Sequence, residues 1–222
     1  MDFDVIVIGG GSAGYAAANS AQSKGAKVAI IDKGPLGGLC ILRGCMPTKT
    51  ILRSSDIFSL FQRAKEFGLS VDNPSADLSL INDRKVRLID EFASYRIQQL
   101  NDPKFTLIKN NASFLSPHKI KVGNSVLVAK NFIIATGSTV AEFPIPGLAE
   151  SHFLTSDDVL ELRTIPESMI VLGAGPVAVE LAQFFCRIGT QTTLIQRSDH
   201  VLSKGDLDLA RPVETRFHEE GM

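Results

Sequence analysis

Strand-length stretches recur along the chain, the fully apolar runs 5–8, 28–31 and 169–172 and the partly polar 131–134 and 192–195. Runs with so little polar alternation suit parallel strands buried on both faces. Helical patterns lie between them. The stretch 15–24 is built of small residues and ends at Gly25; 179–188 ends at Gly189. A longer amphipathic helix is expected over 83–100, where Val86, Ile89, Ala93, Ile97 and Leu100 recur at spacings of three and four. Its charges read as a solvated face. Residues 48–67 form another helical pattern, and Asn73-Pro74 is a break. Short strands are expected at 105–108, 120–122 and 126–128, the last two as a hairpin around Gly123-Asn124. Pro144, Pro146 and Gly147 mark a linker, Ser156 is placed to cap a helix over 157–162, and 207–220 reads as a final helix. The pattern predicts an α/β fold, a parallel sheet with a small antiparallel β element, followed by a second βαβ unit.

The turns inside the two βαβ units carry chemistry. Gly9-Gly10-Gly11-Ser12-Ala13-Gly14 is a G-x-G-x-x-G turn between a strand and a helix. Its first glycines allow a tight turn and close approach to a pyrophosphate, and the third allows close helix–strand packing. The helix start offers unpaired N–H groups and the positive dipole end to phosphate. Asp32 closes the second strand, eighteen residues past Gly14, where it would accept hydrogen bonds from ribose hydroxyls. Adding 164 carries Gly9, Gly11 and Gly25 onto Gly173, Gly175 and Gly189. It also carries Gly14 onto Ala178 and Asp32 onto Gln196. This register is an internal repeat. The chain is expected to hold two dinucleotide sites that are not equivalent.

Composition narrows the class. Of 222 residues, 44% are hydrophobic and 21% charged, with a formal net charge of -1 and no basic block. That balance offers nothing to nucleic acid or to an anionic membrane. The apolar runs fall far short of the about 20 residues of a spanning helix. The chain enters a strand almost at once, which leaves no room for a signal peptide. With three cysteines in such a chain, the expectation is a cytoplasmic protein with reactive thiols.

Cys40 and Cys45 stand five positions apart in the stretch from Gly37 to Lys49. In a regular helix that separation is about 7.5 Å along the axis. A disulfide needs Cα atoms within about 4.4–6.8 Å. The pair can bridge only where the backbone leaves the helix, which Gly37, Gly38 and Gly44 permit. Pro47 suits the first turn of a helix starting just after Cys45, and a thiol at a helix N-terminus is acidified and nucleophilic. Two buried, inert cysteines remain the plain alternative. Zinc is poorly served: only Cys186 and four scattered histidines remain, none at ligand spacing. Two dinucleotide sites around a cysteine pair favour an electron relay. A nicotinamide gives two electrons as hydride, a disulfide accepts two, and a flavin can stand between them.

These residues also resemble the pyridine nucleotide-disulfide oxidoreductases, a family that includes lipoamide dehydrogenases, glutathione reductases and mercuric reductases. The resemblance rests on four motifs: Gly9 to Asp32, Gly37 to Lys49, Ala135-Thr136-Gly137, and Gly173 to Glu180. It spans the chain and implies an FAD-binding domain at 1–147 with the cysteine pair, then a partial NAD(P)-binding domain at 148–222. It implies FAD contacts from Gly9, Gly11, Ser12, Ala13, Gly14, Asp32, Lys33, Gly38, Ala112, Ala135, Thr136 and Gly137. Nicotinamide dinucleotide contacts would come from Gly173, Gly175, Val177, Ala178, Gln196 and Arg197. In the same way Cys45 would face the flavin, Cys40 would be the interchange thiol, and Lys49 and Glu180 would pair beside the hydride-accepting nitrogen. The implied substrate is a dithiol or disulfide, as in a dihydrolipoamide dehydrogenase.

The chain departs from the family in three ways. Ile41-Leu42-Arg43 fills the cysteine loop where Asn is common, which is nearer some mercuric-reductase-like members. Pro176 stands where glutathione reductases carry a flavin-covering Tyr. Family chains are about twice as long and form two-fold dimers. The expectation is therefore an N-terminal half, without the dimerisation domain and its acid–base His, that does not turn over alone. A stand-alone FAD-binding module is the other reading. Neutral Gln196, with Arg197 next to it and Lys204 beyond, favours NADP over NAD in the second site.

Overall fold

The computed structural model describes residues 1–141 and 143–222. The chain divides into two compact units, each discontinuous in sequence. One comprises Met1–Met46 and Arg87–Ala141, the other Pro47–Val86 and Glu142–Met222.

In the first unit the strands β1 (Phe3–Ile8) and β2 (Val28–Ile31) flank helix α1 (Ser12–Ser23). Strands β3 (Thr106–Ile108), β4 (Ala112–Ser116), β5 (Lys119–Val122) and β6 (Ser125–Ile134) follow. They form one six-stranded sheet in the order β3-β2-β1-β6-β5-β4. Its first half is parallel, with Val5 opposite Val28 on one side and Asn131 on the other. The β4-β5-β6 part is antiparallel. Successive strand residues point to opposite faces. Ile6, Ala29 and Ile31 therefore enter one core with Ile120, while Val7, Val28 and Ile30 enter another with Ala18, Leu100 and Phe105. Both faces are covered, which is why these strands read as apolar runs.

Two expectations about strands change here. Residues 126–128 and 131–134 are one strand, β6. Polar Lys130 interrupts the apolar pattern but not the ladder, and its Nζ meets Asp4 Oδ1 at 2.6 Å. Strand β4 was not among the expected strands. It forms because β5 pairs with it, Phe114 opposite Ile120, and Phe114 packs edge-on against Phe132 at 5.1 Å.

Helix α2 (Gly38–Leu42) is short, and α3 (Cys45–Gln62) begins at the second cysteine with Pro47 in its first turn, as expected. A 3-10 turn at Ala64–Phe67 ends at Gly68. Helix α4 (Leu78–Leu100) starts five residues before the expected 83. Asp77 explains the earlier start, since its Oδ1 accepts the Leu80 N–H at 3.1 Å.

The second unit holds α5 (Ser156–Val159), β7 (Ser168–Leu172), α6 (Pro176–Arg187), β8 (Gln191–Ile195) and α7 (Leu207–Glu219). Strands β7 and β8 pair in parallel as a two-stranded sheet. The cap of α5 is Thr155, not Ser156: Thr155 and Asp158 form a reciprocal capping box. The helix also stops short of residue 162. Beyond Val159 the bonds tighten to three-residue spacing, Glu161 N–H to Asp158 and Leu162 N–H to Val159, while Asn82 donates to the carbonyls of Leu160 and Leu162 that follow and Lys85 to that of Leu160. Phe184 and Phe185 of α6 are buried in a core with Ile51, Leu78 and Leu160. A second core joins Ala174 and Val179 to Val201, Ala210 and Phe217. Among the described residues, no helix is long and apolar enough to cross a membrane.

Candidate active site

The two glycine turns repeat their backbone hydrogen bonds as well as their sequence. Gly9 N–H donates to Ile31 at 2.7 Å, and Gly173 N–H to Ile195 at 2.8 Å. Tyr15 N–H donates to Gly11 at 2.9 Å, and Val179 N–H to Gly175 at 3.0 Å. Each pair is related by the shift of 164.

The turns differ in how tightly they are packed. Gly9 sits at φ +105°, and a Cβ there would run into the Ala135 carbonyl, with Thr136 next to it. Ala135 N–H in turn donates to Ile8 at 2.8 Å. The strand ends of β1 and β6 thus bring Gly9, Ala135 and Thr136 together, with Gly137 (φ +76°) following. A Cβ on Gly14 would collide with the Gly9 carbonyl. One on Gly38 would overlap the Gly11 Cα, so α2 meets the turn backbone to backbone. Ser12 and Ala13 are exposed in the first turn of α1, where backbone N–H groups lack helical acceptors.

Asp32 is already engaged. Its Oδ2 accepts the Gly10 N–H and its Oδ1 the Gly34 N–H, both at 2.6 Å. A carboxylate has about four acceptor positions, so lone pairs remain for hydroxyls. Lys33 beside it is exposed. Ala112 lies at the start of β4 and joins the core formed around Ile31 with Ile8 and Ile108.

Cys40 lies in α2, and Cys45 opens α3. The helix breaks between them at Arg43 (φ -141°, ψ 0°), the departure that the cysteine spacing demands. Both are free thiols within hydrogen-bonding reach of each other. Burial, and then the Cys45 sulfur, raise the Cys40 pKa, while the Ser12 hydroxyl opposes that shift. Nothing in the spacing announced that Ser12 would face Cys40. The paired glycines Gly11 and Gly38 were the available signal.

In the second unit Lys49 Nζ meets Glu180 Oε1 at 2.5 Å, with side chains 58% and 34% exposed. The second glycine turn is open: a Cβ on Gly173 or Gly175 would meet nothing within 4 Å. Val177 is exposed in the first turn of α6, and Ala178 fills the third-glycine position. Gln196 Nε2 donates to Ser203 Oγ at 3.3 Å, and its Oε1 accepts the Arg197 N–H at 3.1 Å. The Arg197 side chain is exposed. Among the described residues, no group of three or more His, Cys, Asp or Glu stands ready for a metal ion.

Parallel strands leading into a glycine turn in each unit, with neighbouring thiols beside the first turn, define a dinucleotide-binding protein with a dithiol. The chain belongs to the pyridine nucleotide-disulphide oxidoreductase family, whose model matches residues 3–222. It is 36% identical to a mercuric reductase of Staphylococcus aureus, covering all of this chain and 41% of that one. It is 35% identical to a dihydrolipoyl dehydrogenase of Bacillus subtilis (strain 168), covering 97% of this chain and 48% of the relative. Among solved structures it matches the Cu(II) complex of the HOCl-induced flavoprotein disulfide reductase RclA from Escherichia coli. That likeness has a TM-score of 0.82 at 26% identity, over 98% of this chain and 47% of the other. The chain therefore spans about half the length of the relatives it matches. The expected α/β class, with its parallel-dominated sheet, agrees with these neighbours.

Proposed function

We propose that the chain carries the FAD- and disulfide-bearing part of a flavoprotein oxidoreductase. Electrons pass between NAD(P)H and a dithiol or disulfide substrate through Cys40 and Cys45. The reading rests on one observation: neighbouring thiols lie beside a glycine turn in which a Cβ at Gly9 or Gly14 would strike backbone. Those contacts fit the tight turn and the close helix–strand packing that the first and third glycines of a pyrophosphate-binding loop provide. The first unit also supplies the free N–H groups of α1 and the remaining lone pairs of Asp32. These residues fit FAD.

When bound, FAD supplies a two-electron carrier between a hydride donor and a disulfide. Gly9, Gly11, Ser12, Ala13 and Gly14 would hold its pyrophosphate, Asp32 would hold its ribose, and Lys33, Gly38, Ala112, Ala135, Thr136 and Gly137 would line it. In sequence these FAD-binding residues all fall within 1–147, and 148–222 carry the nicotinamide turn. Gly173, Gly175, Val177 and Ala178 take the second dinucleotide, and Gln196 and Arg197 favour NADPH over NADH. Lys49 and Glu180 serve the hydride step as a charged pair.

The thiol chemistry balances within the pair. Two electrons and two protons open the Cys40–Cys45 bond to two thiols. Deprotonated Cys40 attacks one sulfur of a substrate disulfide and expels the other as a thiolate, which takes up a proton. Deprotonated Cys45 then attacks Cys40, releases the second substrate thiol and restores the bond. Cys45 suits this role because it opens α3 within reach of the Cys40 sulfur. Resemblance to a mercuric reductase supports a second reading, in which the reduced pair delivers its electrons to a thiol-bound metal ion. Either reading extends to a homodimer working in the cytoplasm.

The test is purification of the chain with its visible spectrum recorded. Bound flavin, lost on Gly38→Ala, is expected. A colourless chain that takes up no added FAD contradicts the reading.

A further inference from the structure

The two halves of the repeat tie their glycine turns down differently. In the first, Asp32 at the strand end holds the Gly10 N–H directly. The equivalent residues are Gln196 and Ala174, and Gln196 turns away to Ser203. A different group of the second turn is tied, its carbonyl rather than its N–H: Leu202 N–H donates to the Ala174 carbonyl at 2.8 Å. To reach it, Leu202 adopts φ +52°, a left-handed conformation that leucine rarely takes. Such a residue persists only where its surroundings over-determine it.

Those surroundings are visible. Glu214, on α7, accepts the N–H of Val201 through Oε1 at 2.9 Å. Val201 is buried with Ala174, Val179, Ala210 and Phe217, and Leu202 packs against the same group. Helix α7 therefore grips the segment after β8 through one carboxylate and one apolar cluster. The segment reaches the glycine turn in turn. It also carries Arg197 and Ser203.

We infer that Glu214 is a positioning residue for the second dinucleotide site. It holds residues 197–203 against the Ala174 turn, so that the groups discriminating the 2′ position of the nucleotide stand ready before binding. The inference rests on the nicotinamide reading of that turn and adds a residue about which the glycine motif says nothing. Tying the second turn through Leu202 also leaves Gln196 without the structural duty of Asp32. A neutral residue is tolerated there because the turn no longer depends on it.

The experiment uses the whole chain, with NADPH and NADH titrated as separate probes and amide exchange followed at Leu202. In wild type the Leu202 amide is protected and NADPH binds more tightly. Glu214→Ala should remove that protection and weaken NADPH several-fold more than NADH. Glu214→Gln keeps the acceptor oxygen and should restore both properties. Leu202 protection unchanged in Glu214→Ala overturns the inference. So does loss of protection with an unchanged NADPH-to-NADH ratio, which would make Glu214 merely structural. A wild type that binds neither nucleotide overturns the nicotinamide reading and the inference with it. The missing wild-type signal distinguishes that failure from the other two.

Discussion

The third-glycine position offers a paired perturbation with opposite expectations in the two halves. Gly14 and Ala178 are equivalent in the repeat. In the helix interior, Ala is better than Gly by up to about 1 kcal/mol. At Gly14 that gain meets an obstacle. The new Cβ would collide with the Gly9 carbonyl and stand 3.3 Å from Val7 Cγ1. Gly9 cannot easily retreat, since its N–H is bonded to Ile31 and its own Cα faces the Ala135 carbonyl. Overpacking against a fixed backbone costs about 1–3 kcal/mol, so Gly14→Ala should lose about 1–2 kcal/mol net. The reverse change, Ala178→Gly, removes a methyl that the open second turn already accommodates. Its cost should be helix propensity and lost packing, about 0.5–1 kcal/mol. Urea unfolding with unchanged slope measures both, and flavin retention should fall only for Gly14→Ala. A Gly14→Ala chain as stable as wild type, with full flavin binding, would refute the packing argument.

Other expectations follow from the same geometry. Lys49→Ala should barely change stability, by about 0–1 kcal/mol, because the ion pair is exposed; flavin reduction by NADPH in a full-length version should slow sharply. In that version Gln196→Glu and Arg197→Ala should each move the kcat/KM ratio toward NADH, and indifference to both would remove them from the site. Cys40 and Cys186 both have raised pKa values, burial being the leading cause in each. The folded chain therefore favours the neutral thiols. Their contribution is full below the ordinary thiol pKa of about 8.5 and is lost as pH rises through the folded values. Urea midpoints should fall in alkali, and a Cys40→Ser, Cys186→Ser double variant should flatten that slope.

The buried parallel strands were legible because their pattern needs no neighbour to explain it. Residues 28–31 are the observed β2. Strand β4 was not legible, since its order comes from pairing with β5 rather than from a pattern of its own. The end of α5 was hidden because its last turn tightens to three-residue spacing, which no residue type there announces. At the site, the sequence pointed to the glycine turns and the break between the cysteines. The double engagement of Asp32, the Ser12 contact with Cys40 and the Leu202 tie depend on how segments fold back. No spacing rule encodes them.

The central claim is that Cys40 and Cys45 work as one redox pair, and differential alkylation with mass spectrometry tests it most directly. The chain is treated with a mild oxidant, its free thiols are blocked under denaturing conditions, and the rest are labelled after reduction. The account predicts a Cys40–Cys45 disulfide with Cys186 blocked as a free thiol, and all three cysteines blocked when the chain is reduced beforehand. Cys40 and Cys45 blocked independently at every redox poise, or a disulfide that recruits Cys186, would contradict it.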